Sequence, residues 1–289
     1  MKPHYETKLL NTPHYTLQLY VDYFNERLRV DDYRGNMERI VKVLFEMMET
    51  YSFTKLIFYT RREHWRKLLS KGFTLEGTID GFFNGSDNYI MTYYRTDERC
   101  ISRKWIEENN IIQDIFAKGK KTEEANLPQN YSFRKATNND STELAKLYGR
   151  VFPVYPTPMD KAEYVEKMIN SGTVFYLVEK KDGENTQIVS AASAEINKTN
   201  HNAELTDCAT LPEHRKYGLM KKLLLQLEKD LVNDGIYCAY SLARALSYGM
   251  NAALYQLGYQ YSGRLTNNCY IFSDQFEDMN VWVKDLTTK

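Results

Sequence analysis

Three carboxylates and one glycine are the residues of this chain whose spacing invites chemistry. Glu204 and Asp207 stand in AELTDCATL, a short β-tolerant run stopped by Pro212, which has no N–H to give a ladder. Glu195 closes an earlier run of small residues, Ser190 to Ala194, whose size leaves room for something close to a sheet. Buried carboxylates can hold an ammonium group or take a proton from it. Glu204 and Asp207 are three apart, so regular alternation sends them to opposite faces. Cys208, the residue after Asp207, reads either as a covalent nucleophile or as a small buried side chain. Gly218 lies in Arg215-Lys216-Tyr217-Gly218-Leu219-Met220, where strand hands over to helix. Free amides at a helix N-terminus, a glycine that lets backbone approach, and two flanking cations make an anion site there.

The helix after Gly218 carries Met220, Leu223, Leu224, Leu227 and Leu231 at three- and four-residue steps, and Asn233-Asp234-Gly235 stops it. A strand over Ile236–Ser241, a helix over Tyr248–Leu257, Gly258-Tyr259 and a closing hairpin are expected next. Upstream, Tyr131–Thr137 reads as a strand and Asn138-Asn139-Asp140-Ser141 caps a helix to about Val151. Pro153, Pro156 and Pro158 then make a stiff loop before a helix from Asp160. Strands are expected over Thr173–Glu179 and Ile188–Ile196.

Residues 1–97 give their own series: strands over Tyr15–Val21 and Arg27–Val30, a helix over Met37–Glu49 and a strand over Lys55–Thr60. A helix over Arg62–Ser70 and a hairpin across Asn84-Gly85-Ser86-Asp87 complete it. Gly72-Phe73 precedes Gly77 as Gly258-Tyr259 precedes Gly263, so the order repeats. The repeat predicts a partial N-terminal domain over 1–97, a linker over 98–130 that contains the charge run Lys118–Glu124, and a fuller domain over 131–289 that holds the candidate carboxylates and anion site. Arg34-Gly35-Asn36 is a poor anion loop, so one cofactor is expected, not two.

Bulk composition narrows the classes. Lys+Arg 38 against Asp+Glu 38 argues against a nucleic-acid binder that works through a basic field. No apolar run reaches the roughly 18 residues of a membrane span. Four cysteines and five histidines are scattered without metal-ligand spacing. The expectation is a cytoplasmic protein, monomer or homodimer, without metal, nucleic acid or membrane partner.

Strand, turn, then R-x-x-G-x opening an amphipathic helix resembles motif A of the GNAT acetyltransferases, with Met220 where the family usually has Gly or Ala. The resemblance implies an α/β fold with a mixed central sheet flanked by helices, preceded here by a smaller degenerate GNAT-like domain. It implies acetyl-coenzyme A as cosubstrate, gripped at its pyrophosphate by the loop Arg215, Lys216, Tyr217, Gly218, Leu219 and Met220. Its thioester arm would lie along Cys208, Ala209 and Thr210, with Ser247 and Asn251 beside it. Asp207 is expected to anchor or deprotonate the acceptor amine, supported by Glu204 and Glu195. The family's usual tyrosine position is Leu254 here, which leaves Tyr255 as general acid or as a core tyrosine. The same departures leave open a tandem binding module without catalysis.

A narrower likeness rests on VFPVYPTPMD, ARALSYGMN, GYQYSGRLTNN, FEDMNVW, and the D-x-Y-x-G-N and G-F-x-x-E-G features at Asp31–Asn36 and Gly72–Gly77. Together these resemble the β-lysine acetyltransferase family. That implies direct transfer to the ε-amine of β-lysine, giving an acetylated compatible solute; lysine, a polyamine or another diamino acid stay open. Arg244 is then expected to pair with the substrate carboxylate, with Tyr155, Asn267, Asn268 and Glu277 around the small-molecule amine.

Overall fold

The computed structural model describes residues 3–120, 127–215 and 217–287. Chain order gives β1 (Tyr5–Asn11), β2 (Tyr15–Asp22), β3 (Arg27–Gly35), α1 (Met37–Tyr51), β4 (Lys55–Thr60), α2 (Trp65–Leu69), β5 (Thr74–Phe83) and β6 (Ser86–Tyr94). Two helices follow, α3 (Asp97–Cys100) and α4 (Trp105–Lys118), then β7 (Tyr131–Lys135), α5 (Ser141–Val151), α6 (Ala162–Asn170), β8 (Val174–Asp182) and β9 (Asn185–Asn197). The chain ends with β10 (Asn202–Thr210), α7 (Leu219–Asn233), β11 (Cys238–Arg244), α8 (Tyr248–Gln256), β12 (Gln260–Tyr270) and β13 (Phe276–Asp285).

Among the described residues thirteen strands join one mixed sheet, ordered β1-β2-β3-β4-β6-β5-β12-β13-β11-β10-β9-β8-β7. The series β1 to β6 and the series β8 to β13 use the same pairings. Each opens with two antiparallel ladders, continues with a parallel pair across a helix (β3 with β4, β10 with β11), and closes with two more antiparallel ladders as its last strand inserts before its predecessor. The halves meet where Gly77 pairs with Gly263, each beside a register shift. Backbones approach so closely that a Cβ on Gly263 would lie 2.2 Å from the Glu76 carbonyl oxygen and 2.4 Å from the Gly77 Cα. Only glycine fits such an approach.

Helix α7 buries Leu223, Leu224, Leu227 and Leu231 against the C-terminal half of the sheet, as their spacing predicts. Helix α1 does the same in the N-terminal half with Ile40, Val41, Leu44 and Met48. A third core joins the halves: Ile57, Tyr59, Ile79 and Phe82 pack with Tyr240, Leu265, Met279 and Val281. The sheet curls, so its flanks approach: the ring of Tyr5 in β1 meets that of Tyr164 in α6 edge-on at 6.4 Å.

Several expected elements shift. Strand β1 went unforeseen because YETKLLN is half exposed and carries charges at alternate places. Helix α2 is shorter than Arg62–Ser70, since Arg61 to His64 form a turn. Segment 98–130 holds the fourteen-residue α4, whose Ile112 and Ile115 are buried. The predicted charge run lies in part, at residues 121–126, outside the described residues.

Candidate active site

A cleft of about 1120 Å³ opens between the C-terminal strands β10 and β11 and is roofed by β2, β3 and β4 of the N-terminal half. Its origin is a splay. β10 and β11 pair only at Asn202–Cys238, Ala203–Ala239 and Glu204–Tyr240. Past Glu204 the strands part, and β11 keeps its ladder only on the β13 side.

On its other side β10 bulges against β9 between Thr206 and Ala209. Asp207 is the bulged residue, with φ +49°. Aspartate tolerates this left-handed region better than most side chains. The bulge breaks the alternation expected from sequence. Glu204 and Asp207 do not face opposite ways; both line the cleft, as does Glu195, the register partner of Glu204. Like charges directly opposite on a sheet repel, so this wall is suited to receive a cation.

Asp207 is tightly held. Tyr155 Oη donates to its Oδ1 at 3.0 Å, Ser193 Oγ to its Oδ2 at 2.7 Å, and Tyr148 Oη to its carbonyl at 2.8 Å. Burial pushes the Asp207 carboxyl up, against those two side-chain bonds, which hold it down. Glu195 keeps an exposed edge, yet its crowding inside the cleft and the nearby Asp207 and Glu204 push it up to about 8. Burial also raises Glu204, opposed first by the Arg29 guanidinium. Burial and the same two acids raise the Cys208 thiol, so it stays protonated and is no ready nucleophile. The small residues of β9 serve a different end from the one expected. Ser190 and Ser193 are fully buried, and their hydroxyls bond β10, at Ala209 O and Asp207.

At the other end of the cleft, Gly218 adopts φ +69° and opens α7 with no side chain capping the first amides and no acid in the first turn. Arg215, Gly218, Leu219 and Met220 line the cleft, and the Met220 side chain rests partly on the core. The matching helix of the N-terminal half differs on both counts. Asn36 caps α1 through the Arg39 amide, and Glu38 stands in its first turn. Gly35 there makes room for His14 O, not for a ligand. Uncapped amides and an accessible glycine fit a diphosphate at Gly218 and not at Gly35.

Tyr155, Cys208, Thr210, Ser247, Arg244 and Asn268 also line the cleft. Other expected residues do not. Ala209 is buried in the core, and Tyr217 is exposed beside Tyr131; Lys216 lies outside the described residues. Asn251 is fully buried. Its amide donates to Arg244 O and Ser247 O, and its oxygen accepts from Asn280 and Trp282, so its capacity is spent holding the β11–α8 turn. Tyr255 packs on Phe116 of α4, away from the cleft. Arg244 does line the cleft, but it is bound through Nε and Nη2 to Glu277, both at 2.9 Å, which takes its Nε–Nη2 edge, neutralises its charge and occupies Glu277. Asn267 donates to the carbonyls of Glu98, Arg99 and Ile101 behind β12.

Sequence reading missed the roof. Tyr20, Arg27, Arg29 and Tyr59 face the cleft from the N-terminal half. The alternation of Arg27-Leu28-Arg29-Val30, with Leu28 and Val30 fully buried, was the available signal.

Residues 141–259 match the Acetyltransferase (GNAT) family. The chain is 38% identical over 265 residues to "N-acetyltransferase YodP" of Bacillus subtilis (strain 168), covering 92% of this chain and 94% of that one. It is 36% identical over 275 residues to "Beta-lysine N(6)-acetyltransferase" of Methanosarcina mazei, covering 88% and 100%. Among solved structures, an N-acetyltransferase from Staphylococcus aureus Mu50 overlays 55% of this chain and 99% of its own, at 17% identity and a TM-score of 0.46.

Proposed function

This chain belongs to the GNAT acetyltransferases and is an acetyl-coenzyme A-dependent N-acetyltransferase, and we propose that its acceptor is the ε-amine of β-lysine. The product, Nε-acetyl-β-lysine, is an internal salt with no net charge, suited to accumulate as a compatible solute. The observation that carries the reading is the wall of Glu195, Glu204 and Asp207 facing one cleft. Two of these acids form a cross-strand pair in which Glu195 keeps its proton up to about pH 8, and a cationic substrate lets both ionise.

Roles follow from position. The diphosphate of acetyl-coenzyme A is held by the amides opening α7 at Gly218, with Arg215 beside it; the bound thioester supplies an activated acetyl carbon. The ammonium group enters against Asp207. Its carboxylate, raised by burial and aligned by Tyr155 and Ser193, takes a proton to free the amine lone pair. The amine nitrogen bonds to the acetyl carbon, the carbon–sulfur bond breaks, and the thiolate takes a second proton. An ammonium and a thioester thus yield an amide, a thiol and one released proton. Direct transfer is favoured over an acetyl-enzyme because the Cys208 thiol is held protonated.

Residues 1–97 are read as a degenerate GNAT-like domain that lost the diphosphate grip and closes the acceptor side. Four free cysteines fit a reducing cytoplasm; among the described residues no helix is long and apolar enough to cross a membrane. The test is thiol release from acetyl-coenzyme A with β-lysine, lysine and spermidine. Preference for β-lysine supports the reading, a preference for spermidine moves it to polyamines, and no release with any amine removes it.

A further inference from the structure

We infer that Arg29, on β3 of the N-terminal half, recognises the carboxylate of the acceptor, so that the N-terminal half selects diamino acids over simple diamines. The inference rests on the amine acetyltransfer reading and names the part of the substrate that the acidic wall cannot read.

Four arginines line the cleft: Arg27, Arg29, Arg215 and Arg244. Arg244 is paired with Glu277 through Nε and Nη2, so one of its terminal nitrogens is already engaged. Arg27 gives Nε to Asp22 and Nη1 to the carbonyl of Asn268. Arg215 stands beside Gly218, at the diphosphate end. Arg29 donates only through Nε, to Asp31. Among the described residues its two terminal nitrogens meet no acceptor. They form the paired donor edge that suits a carboxylate.

The fork is also held in place. Tyr20 is its register partner on β2, and its guanidinium lies 4.9 Å from the Tyr20 ring and 5.4 Å from the Tyr59 ring. Asp31 fixes the Nε side. A guanidinium flanked by two rings and pinned at one nitrogen loses little freedom when it binds. It faces Glu204 and Glu195 closely enough to oppose the burial of both. From the splay outward the cleft therefore presents Asp207, then the Glu204–Glu195 pair, then Arg29. A diamino acid presents a reacting amine, a second amine and a carboxylate in the same order. A polyamine has nothing to offer Arg29.

The test compares β-lysine with 1,4-diaminopentane, the same skeleton without its carboxylate, by thiol release in the wild type, Arg29→Met and Arg29→Lys. Acetyl-coenzyme A affinity is measured in each protein as a check on folding. In Arg29→Met, KM for β-lysine should rise roughly 10- to 100-fold with kcat at saturation changing far less, the loss of a charge-assisted pair. The diamine should lose much less, and Arg29→Lys should recover part of the β-lysine affinity. Equal losses for both substrates would overturn the inference, since Arg29 would then only balance the acids. Loss of acetyl-coenzyme A binding in both variants would overturn it in favour of a structural role. A wild type inert towards both amines would instead fail the acetyltransfer reading itself, and this inference with it.

Discussion

Replacing Gly218 by aspartate isolates the anion site. Gly218 sits at φ +69° at the head of a fifteen-residue helix whose first amides have no side-chain cap. A side chain in this left-handed conformation costs about 1 kcal/mol, and less for Asp or Asn, so the fold should survive. An added carboxylate about 5 Å from a diphosphate charge, at an effective dielectric of about 20, repels it by about 3 kcal/mol. That weakens acetyl-coenzyme A binding by roughly 100-fold. Gly218→Asn has the same shape and capping ability without charge, so its loss should be only a few-fold. Calorimetric titration of acetyl-coenzyme A into the two variants measures the difference directly, and added salt should shrink it. If both bind as the wild type does, the diphosphate is not held here and the argument from uncapped amides is wrong.

Asp207→Asn should lower kcat/KM for the amine about 100-fold while acetyl-coenzyme A affinity stays put, because the carboxylate acts on the acceptor alone; steady-state kinetics with unchanged amine parameters would remove it from the site. Glu195 should make the free enzyme less stable as pH rises. Its carboxyl is pushed from 4.5 up to about 8 in the fold, so the folded state binds the extra proton between those values. The associated stabilisation is full below about 4.5 and lost as pH passes about 8. Melting temperatures of Glu195→Gln should therefore fall less between pH 5 and pH 9 than those of the wild type, and equal slopes would mean that water reaching Glu195 screens it from Asp207 and Glu204. Gly263→Ala should destabilise the protein by about 3 kcal/mol, since the new methyl would meet backbone atoms at 2.2 and 2.4 Å; a near-neutral result in urea unfolding would mean the seam can open without cost.

The parts written in local pattern were legible. Leu223, Leu224, Leu227 and Leu231 announced α7, and Asn84-Gly85 announced the β5–β6 turn. Gly77 and Gly263 were visible as matching positions, though only the structure joins them in one register pair. What stayed hidden depends on geometry that no window of sequence contains. The bulge at Asp207 reverses its facing and brings it to Glu204's side. Arg244 looked available because Glu277 is distant in sequence, yet the β11–β13 ladder delivers that carboxylate to it. The curl of the sheet, which carries Arg29 over β10, arises from all the strands together. Asn251 and Tyr255 were assigned by analogy of position, and their neighbours Trp282 and Phe116 claim them.

The glycine seam bears on how this chain can be handled. A fragment trimmed to residues 131–289 would leave β12 as a bare edge, with Leu265, Met279 and Val281 stripped of their cover from Ile57, Ile79 and Phe82. Such an edge recruits other chains. The half that carries the acyl-donor loop is thus obliged to keep its silent twin, and insertions are tolerable only at places far from where the two are stitched.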